Sequence, residues 1–276
     1  MNNAQPVLNY YNLSDDVKAF STTRHGGVSE GNYASLNINE YCGDSKDNTD
    51  ANRLLLANEL GIDANHIIMP HQTHGVESRI IGEEFATLPD GVKKMLLEGV
   101  DAVMTNIPGM CIGVSTADCI PVLLYDEGHH AAAAIHAGWR GTQARIVHKV
   151  VQEMRMAYQT DPTKLKAVIG PGISLDNFEV GDEVYADFEQ AAFDMSSIAE
   201  ERIKRNPNAE DPAKAFERKW HINLPLANIQ MLTHNGVDEA NILNTGICTF
   251  DNADNYFSAR RLGIESGRIY TGIIIR

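Results

Sequence analysis

Three short segments of the chain each offer a side chain that can bind a transition metal. They are HQTHG at 71–75, STADCIPVLLYD at 115–126 and AIHAGWRGT at 134–142. Cys119 precedes an apolar run typical of a strand and His136 ends another, so we expect both side chains to project from strand ends into one cleft. One thiolate and two imidazoles suit zinc. Three protein ligands leave its fourth tetrahedral position open, which is the arrangement of a catalytic site.

The same residues also have ordinary structural interpretations. A lone cysteine in an apolar strand is usually a small core residue, and a lone histidine is usually a hydrogen-bonded structural group. The neighbouring residues favour chemistry instead, because Asp118 lies beside Cys119 and Arg140 closely follows His136. These segments therefore contain charged side chains and flexible glycine backbone, which an apolar core would lack.

The first segment contains two histidines with different prospects. HQTH is an H-x-x-H pair, and residues three apart meet on one face of a helical turn. Pro70 directly precedes the pair and makes the local geometry harder to predict. The local pattern alone therefore leaves open whether His71, His74 or both approach a metal.

The elements that must position these residues are mostly short strands. Continuous apolar runs of this kind are typical of strands buried on both faces. Strands are predicted at 101–105, 111–116, 119–125, 131–136, 166–170 and 268–275. Cys119 and His136 lie at the ends of predicted strands, where a folded sheet would hold their side chains in place.

Amphipathic helical patterns alternate irregularly with the strands. Helices are predicted at about 47–60, 142–158, part of 181–204 and 224–235. The second of these begins just after Arg140, and the free N–H groups of a helix start favour an anion. The segment 203–219, rich in Lys, Asn, Pro and Glu, is predicted to be a solvated connection. The pattern by itself indicates mixed α and β structure.

Composition limits the classes of partner. The chain has 276 residues, 43% of them hydrophobic, and a formal net charge of -14. This acidity argues against nonspecific binding to nucleic acid or an anionic membrane, so any anionic substrate must meet a local basic pocket. The four cysteines form no CxxC pair and no dense disulfide pattern. With no secretory signal or membrane-spanning run, we expect a soluble cytoplasmic protein with reduced thiols.

Ordered sequence blocks extend along most of the chain. They are STTRHGGVS at 21–29, SLNI at 35–38, YCGD with NR at 41–53, QTHG at 72–75, ADCIPVLLYD at 117–126, HAGWRGT at 136–142, IGPGIS with FEVGDEV at 169–184, and ICTF with FSARR at 247–261. These blocks resemble the signatures of the laccase-domain family, also called multicopper polyphenol oxidase-like proteins and now described as purine nucleoside phosphorylases. The resemblance implies an α+β fold with a single domain over 1–276, in an αββα-type layered architecture with mixed sheets.

For the site, the resemblance implies three metal ligands, His74 of QTHG, Cys119 of ADC and His136 of HAGWRG, with His71 in the pocket wall. The expected metal is zinc, with copper as the alternative because it outcompetes zinc at most N/S sites in vitro. Zinc can activate water or polarise a substrate heteroatom. Water attack suits deamination of adenosine, for which Asp118 is the nearest carboxyl group in sequence. A turn residue at a strand end is its other interpretation.

Phosphorolysis of a purine nucleoside needs cations that hold phosphate and a donor that protonates the purine. Arginine provides a planar fork for phosphate oxygens. The candidates are Arg24, Arg140 and Arg260 or Arg261 for phosphate, with Arg261 preferred, and Asn37, Ser21 and His25 for the nucleoside. A surface ion pair is the other interpretation of each arginine. The expected partners are a purine nucleoside and phosphate, and the oligomeric state is left open.

Three other functions stay open. A copper-dependent phenol oxidase would hold a single copper ion at His74, Cys119 and His136. The four coppers of a multicopper oxidase are hard to house, because their imidazole ligands commonly form H-x-H pairs and the 10 histidines of this chain form none. A metal-free thiol hydrolase or amidase would use Cys119 as nucleophile and His136 as base. A non-catalytic quality-control factor would hold a nucleotide-like or cell-wall-precursor ligand beside a structural metal.

Overall fold

The computed structural model describes residues 5–205 and 216–276. Within these ranges the strands are β1 (Leu8–Tyr11), β2 (Val17–Thr22), β3 (Ile67–Ile68), β4 (Ser78–Ile80), β5 (Ala102–Thr105), β6 (Cys111–Thr116), β7 (Ile120–Asp126), β8 (Ala131–Ala137), β9 (Lys166–Ile169), β10 (Glu179–Val180), β11 (Ala199–Arg205), β12 (Phe216–Ile222), β13 (Ile242–Asn244) and β14 (Ile269–Ile275). The helices are α1 (Lys46–Leu60), α2 (Asp90–Leu97), α3 (Trp139–Gln143), α4 (Ile146–Tyr158), α5 (Asp182–Gln190), α6 (Met195–Ile198), α7 (Leu224–His234) and α8 (Ala259–Leu262). The predicted strands are all confirmed to within one residue at each end.

Two large sheets pack face to face at the centre of the fold. One has the strand order β13-β9-β7-β8-β5-β4 and the other the order β1-β2-β14-β6-β3. Both are mixed. In the six-stranded sheet β13 is parallel to β9 and β7 is antiparallel to β8, and in the five-stranded sheet β3 is parallel to β6 and β14 is antiparallel to β6. Ile112 and Ile273 of one sheet share a buried apolar layer with Leu123 and Val168 of the other. Strands buried on both faces explain the continuous apolar runs.

Helices cover the outer faces of the two sheets. Val147 and Val151 of α4 and Met231 of α7 pack on the six-stranded sheet. Leu56 and Leu60 of α1 pack on the five-stranded sheet. The resulting helix–sheet–sheet–helix order confirms the αββα-type architecture and the α+β class. In the described part of the chain, no helix combines the length and apolar character needed to cross a membrane.

The helix predicted at 142–158 is wrong at its start. The structure has two helices there, α3 and α4, separated by Arg145, whose backbone is left-handed with a φ of 62°. The Arg145 guanidinium donates to the carbonyl of Ala191 at 2.8 Å and lies over the Phe193 ring. These contacts fix a conformation that interrupts the helical hydrogen bonds. Side-chain periodicity does not report such a break, because the apolar spacing continues across it.

The prediction of a solvated connection at 203–219 is wrong at both of its ends. The strands β11 and β12 pair antiparallel there, and residues 206–215 lie outside the described part of the chain. Charged side chains on these strands hide the β pattern, since Arg218 lies 3.4 Å from Glu201 of the paired strand and Lys204 lies 2.8 Å from Glu179 of β10. Helix is confirmed for only part of 181–204, as α5 and α6.

Candidate metal centre

The side chains of His74, Cys119 and His136 converge in the folded chain. Each offers one ligand atom, and these atoms all lie within 4.8 Å of one another. The rings of His74 and His136 are 4.9 Å apart between centroids, at an interplanar angle of 73°. His136 is buried, Cys119 is half-buried and His74 is exposed, so the group opens to solvent on the His74 side. Over residues 5–205 and 216–276, no other group of His, Cys, Asp and Glu side chains has comparable spacing.

Cys119 lies in the short link between β6 and β7. Asp118, directly before it, has a left-handed backbone with a φ of 87°, which a short polar residue tolerates. Its Oδ1 accepts a hydrogen bond from Thr249 Oγ1 at 2.7 Å, and its Oδ2 accepts one from the backbone N–H of Arg260 at 2.7 Å. Its carbonyl accepts from the N–H of Ile173 at 2.8 Å. Asp118 therefore braces the turn that presents the thiol.

Asp101 holds the His136 ring and the backbone of the loop that carries His74, from a fully buried position just before β5. Its Oδ1 lies 2.7 Å from Nδ1 of His136 and accepts from the backbone N–H of His74 at 3.0 Å. Its Oδ2 accepts from the N–H groups of Gly75 at 2.7 Å and Thr73 at 3.3 Å. Because Nδ1 of His136 is engaged, Nε2 is the nitrogen left for a metal, as in carboxylate–histidine–metal arrangements.

Asp101 was not predicted as a site residue. The available signal was a carboxylate immediately before the apolar run 102–105, but a charged residue before a strand is usually solvated. Its partners come from sequence positions far away, so only the folded sheet reveals what it holds.

Gln72 ties the loop that carries His74 to the strand that leads into Cys119. Its Nε2 donates to the carbonyl of Ser115 at 2.8 Å, and its Oε1 accepts from the N–H of Ser115 at 2.8 Å. The carboxamide thus imitates a neighbouring strand at the end of β6. This pair of hydrogen bonds helps to set the separation between the imidazole and the thiol.

Gly138 leaves space for the ligand side chains. A Cβ atom at this position would lie 3.1 Å from Cys119 Sγ and 3.1 Å from His74 Cδ2. Both distances are shorter than ordinary van der Waals contact, so any larger residue would press directly on the group. The first glycine in HAGWRG therefore has a packing reason.

Burial and charge act in opposite directions on the ionisation of the group. Burial alone would raise the pKa of Cys119, but the charge and hydrogen bond of His136, joined by those of His74, lower that pKa to about 6. Burial opposes the charged imidazole of His136, yet the Cys119 thiolate and the Asp101 carboxylate raise its pKa to about 9. Burial would also raise the pKa of Asp101, and the hydrogen bond and charge of His136 with the loop N–H groups hold it below its usual value. The thiol is thus prepared to be an anion at neutral pH.

The converging group forms part of the wall of a cleft of about 700 Å³. The lining residues come from six separate parts of the chain. They are Asn39, Tyr41, Cys42, His71, Gln72, His74, Ser115, Thr116, Ala117, Asp118, Cys119, His136, Ile173, Phe178, Ala259, Arg260, Ile264, Glu265 and Arg268. The volume suits a drug-sized ligand.

The arginines predicted to hold phosphate are engaged elsewhere. Arg24 donates from Nε and Nη1 to two backbone carbonyls, each at 2.8 Å. The guanidinium of Arg140 lies 4.3 Å from the centroid of the Trp139 ring, and Arg261 donates to the carbonyl of Phe250 at 3.1 Å. None of the three lines the cleft formed by the described residues. The geometry therefore gives their predicted phosphate contact no support.

Arg260 and Arg268 are the arginines that the structure brings to the cleft. Arg260, the other candidate of the FSARR block, donates from Nη1 and Nη2 to the carbonyl of Glu179 at 3.1 Å. Arg268 was not predicted. Its Nη1 donates to the carbonyls of Ser266 and Gly267 at 2.6 and 2.9 Å. Both guanidinium groups are anchored by main-chain oxygens rather than by carboxylates, so their positive charge is not neutralised by these contacts.

The residues predicted to contact the nucleoside lie behind the cleft wall or at a distance from it. Asn37 is buried, and its Oδ1 accepts from the backbone N–H of Arg268 at 3.1 Å. Ser21 is buried in β2, and His25 contacts Asn255 near the surface at 3.2 Å. Asn37 therefore supports a residue of the cleft rather than lining the cleft itself. Cys42 also lines the cleft.

His71 lies in the cleft wall, as expected, and outside the converging group. Its Nδ1 lies 2.8 Å from Glu98 Oε1, and its backbone N–H donates to the carbonyl of Leu97 at 3.0 Å. Its ring stacks on that of Tyr41, with centroids 4.1 Å apart and an interplanar angle of 20°. Of the two histidines in HQTH, the structure places His74 with the thiol.

Comparisons with known proteins follow the whole length of the fold. A family model described as multi-copper polyphenol oxidoreductase laccase matches residues 18–276. The chain is 42% identical over 271 residues to a purine nucleoside phosphorylase of Bacteroides thetaiotaomicron, which covers 98% of this chain and 96% of that protein. It is 41% identical over 267 residues to adenosine deaminase RL5 from an unknown prokaryotic organism, with 96% and 97% covered. The crystal structure of the Bacillus licheniformis hypothetical protein YfiH superposes with a TM-score of 0.84 at 25% identity, over 98% of this chain and 97% of that one.

Proposed function

The chain belongs to the family described as multi-copper polyphenol oxidoreductase laccase, and from that premise we propose that it is a metal-dependent purine nucleoside phosphorylase. The reaction transfers the pentose of adenosine, inosine, guanosine or methylthioadenosine to phosphate, giving free base and pentose-1-phosphate. The observation that carries the proposal is the convergence of His74, Cys119 and His136 in the wall of a cleft. The 42% identity to a protein named purine nucleoside phosphorylase supports it.

The donor set fits a zinc ion. Two imidazole nitrogens and a sulfur within 4.8 Å of one another match the borderline preference of zinc, and Asp101 supplies the outer hydrogen bond that such histidine ligands usually have. We take His74, Cys119 and His136 as the ligands, with copper as the competing metal for an N/S site. A bound ion of this kind supplies Lewis acidity at one point of the cleft wall.

Arg260 and Arg268 supply the basic pocket that the composition demands. Arg260 uses two of the five N–H donors of its guanidinium on the backbone carbonyl of Glu179, and in this proposal the other three serve phosphate oxygens. A chain with a net charge of -14 repels phosphate at long range, so these two charges must act locally. In this proposal the arginines bind and orient phosphate, while Asp118 positions Cys119 and Arg260 rather than transferring a proton.

Deamination of adenosine is the second activity proposed for the same cleft. It is supported by the relative named adenosine deaminase, which is 41% identical to this chain and covers 96% of it. Phosphorolysis breaks the glycosidic bond, whereas deamination replaces the exocyclic amine by water. The two activities are therefore separated by their products, a free base for the first and inosine for the second.

A thiol hydrolase or amidase is the alternative that a specific observation favours. Asp101 contacts Nδ1 of His136 at 2.7 Å, and His136 hydrogen-bonds the Cys119 thiol, which reproduces the orienter, base and nucleophile of cysteine catalysis. A four-copper oxidase is less compatible with the geometry, because the described residues offer a single suitable group rather than separate mononuclear and trinuclear sites.

The test is turnover of purified, zinc-loaded protein with each purine nucleoside, with and without phosphate, followed by chromatography of the products. We expect free base and pentose-1-phosphate only when phosphate is present. Release of base that is independent of phosphate would contradict the phosphorylase. Tight binding of a nucleotide-like or cell-wall-precursor ligand with no turnover would favour the quality-control factor.

Metal content separates the metalloenzyme from the thiol enzyme. We expect one equivalent of zinc, lost in Cys119→Ala and retained in the control Cys248→Ala, whose thiol lies outside the converging group. Copper found in place of zinc after expression in medium that supplies both metals would overturn the choice of metal. Alkylation of Cys119 by iodoacetamide in the metal-loaded protein, with turnover lost in parallel, would favour the thiol enzyme.

The setting we propose is the cytoplasm. All four cysteines are free thiols, which suits a reducing compartment. The acidic net charge favours small-molecule partners over nucleic acid or membrane.

A further inference from the structure

The stacked pair of Tyr41 and His71 is a feature of the cleft that neither the metal nor phosphate uses. Both residues line the cleft, and 37% of the Tyr41 surface is exposed. A single exposed aromatic residue is ordinary in a folded protein, but a stacked aromatic pair in the wall of a cleft offers a flat apolar surface to a ligand.

Tyr41 stands between two cavities. It also lines a second cavity of about 440 Å³ between α1 and α2, together with Arg53 and Leu97, whereas His71 lines only the cleft of the metal ligands. The Tyr41 ring covers one face of the His71 ring. His71 nevertheless lines the cleft, and 34% of its side chain stays exposed.

The His71 ring is held in one orientation. Nδ1 lies 2.8 Å from Glu98 Oε1, and the main chains of His71 and Glu98 form an isolated β-bridge. In the part of the chain that the structure describes, the hydrogen bonds of the ring involve Nδ1 alone. The ring is therefore rigid, is kept three residues from His74 along the chain, and has no metal-binding task in the converging group.

We propose that the π-face of His71, backed by Tyr41, is the surface on which the purine ring of the nucleoside stacks. The inference rests on the proposed function for the identity of the ligand. Stacking on an aromatic face is tolerant of the base, since every purine has a π-face, so this platform would accept adenine, hypoxanthine and guanine alike. Selectivity among them must then come from groups that contact the edge of the base.

The test is calorimetric binding of free hypoxanthine and adenine to the zinc-loaded protein, which requires no turnover. We expect His71→Ala to weaken binding by about tenfold, in line with the loss of one base–aromatic stack, and Tyr41→Ala to weaken it by less. His71→Phe restores a π-face without a ligand nitrogen, so it should recover most of the affinity. His129→Ala is the matched control, because His129 also holds a carboxylate, Asp126, through Nδ1 at 2.9 Å and lies outside the cleft.

Kinetics provide the second readout. The KM for the nucleoside should rise in His71→Ala with little change in the KM for phosphate or in zinc content. Unchanged base binding in His71→Ala, or loss of zinc in both His71 variants, would overturn the platform. If the wild type binds hypoxanthine and His71→Ala weakens that binding but no nucleoside is phosphorolysed, the proposed reaction fails while the platform stands. If the wild type binds no purine, the platform is wrong.

Discussion

His136 and Asp101 form a fully enclosed pair in which Nδ1 lies 2.7 Å from Oδ1, and the same carboxylate accepts the backbone N–H of His74 at 3.0 Å. A single buried side chain therefore orients two of the three proposed metal ligands. It does so from a third element, so the geometry of the site depends on a residue that would touch neither metal nor substrate.

Asp101→Asn should weaken metal binding although the two side chains are nearly equal in size. The asparagine side chain accepts hydrogen bonds only at its oxygen. Its NH2 group would face groups that also donate, so one side chain could no longer hold both the backbone N–H groups of the loop and the His136 ring. We expect zinc affinity to fall by about 10- to 100-fold and the free energy of unfolding to fall by about 3 kcal/mol. Chelator competition and denaturant titration measure the two effects.

The matched control is Asp126→Asn, which also removes a buried aspartate from a histidine partner, His129, at 2.9 Å. It should leave zinc affinity unchanged. Equal zinc affinity in the two variants would show that Asp101 does not position the ligands.

Cys119 should react as a thiolate at lower pH than the other cysteines in metal-free protein. Its pKa is lowered to about 6, so the thiolate fraction is high at pH 7 and falls as the pH drops through 6. Burial raises the pKa of Cys111 to about 12 and also raises that of Cys42, which makes them internal controls. The measurement is the rate of iodoacetamide labelling of each cysteine-containing peptide from pH 5 to 9, read by mass spectrometry.

Added zinc should suppress the labelling of Cys119 and leave Cys42 unaffected. A half-point for Cys119 near that of a free thiol, about 8.5, would mean that His136 does not stabilise the anion.

Arg260→Ala and Arg261→Ala should differ sharply although the residues are neighbours. Arg260 lines the cleft, whereas Arg261 is engaged with Phe250 outside it. We expect the KM for phosphate to rise by about tenfold or more in Arg260→Ala, the effect of one charge-assisted hydrogen bond, and to stay unchanged in Arg261→Ala. Since alanine keeps the backbone N–H that Asp118 accepts, the turn at Cys119 is preserved. Steady-state kinetics at varied phosphate concentration measure the KM in both variants. A raised KM in Arg261→Ala and an unchanged KM in Arg260→Ala would assign phosphate binding to Arg261.

Gly138→Ala should loosen the metal site without unfolding the chain. The new Cβ would lie 3.1 Å from both Cys119 Sγ and His74 Cδ2, so one of them must shift. We expect about a tenfold loss of zinc affinity, comparable with other disturbances next to ligands. Gly91→Ala is the control, because a Cβ there meets nothing within 4 Å and a helix gains from alanine. Unchanged zinc affinity in Gly138→Ala would show that the ligands can move aside at no cost.

The fold was predictable where local pattern and burial agree. Strands β6, β7 and β8 are buried along their whole length, and their apolar runs mark their bounds to within one residue. The break at Arg145 was not predictable, because a single left-handed residue is fixed by Ala191 and Phe193, which are remote in sequence. The paired strands at 199–205 and 216–222 carry charge on both strands, which hides the alternation expected of a sheet.

The candidate site was predictable in its residue types and less so in its contacts. The Cys and His residues were singled out because few other side chains bind soft or borderline metals. Arginines offer no such distinction: Arg260 and Arg261 share one motif and one short helix, α8, where successive side chains diverge by about 100°. Asp101 was missed because its hydrogen-bond partners, His136 and the loop at 73–75, lie on other elements.

Asp118 has a consequence for how activity data from this chain should be interpreted. Its carboxylate receives the Arg260 amide on one oxygen, and the very next residue is Cys119. Removing that carboxylate would displace both the Arg260 guanidinium and the Cys119 sulfur. An inactive Asp118 variant would therefore have two explanations, the loss of a proton donor or the displacement of Cys119 and Arg260. A pH–rate profile that keeps its shape while its amplitude falls would indicate displacement.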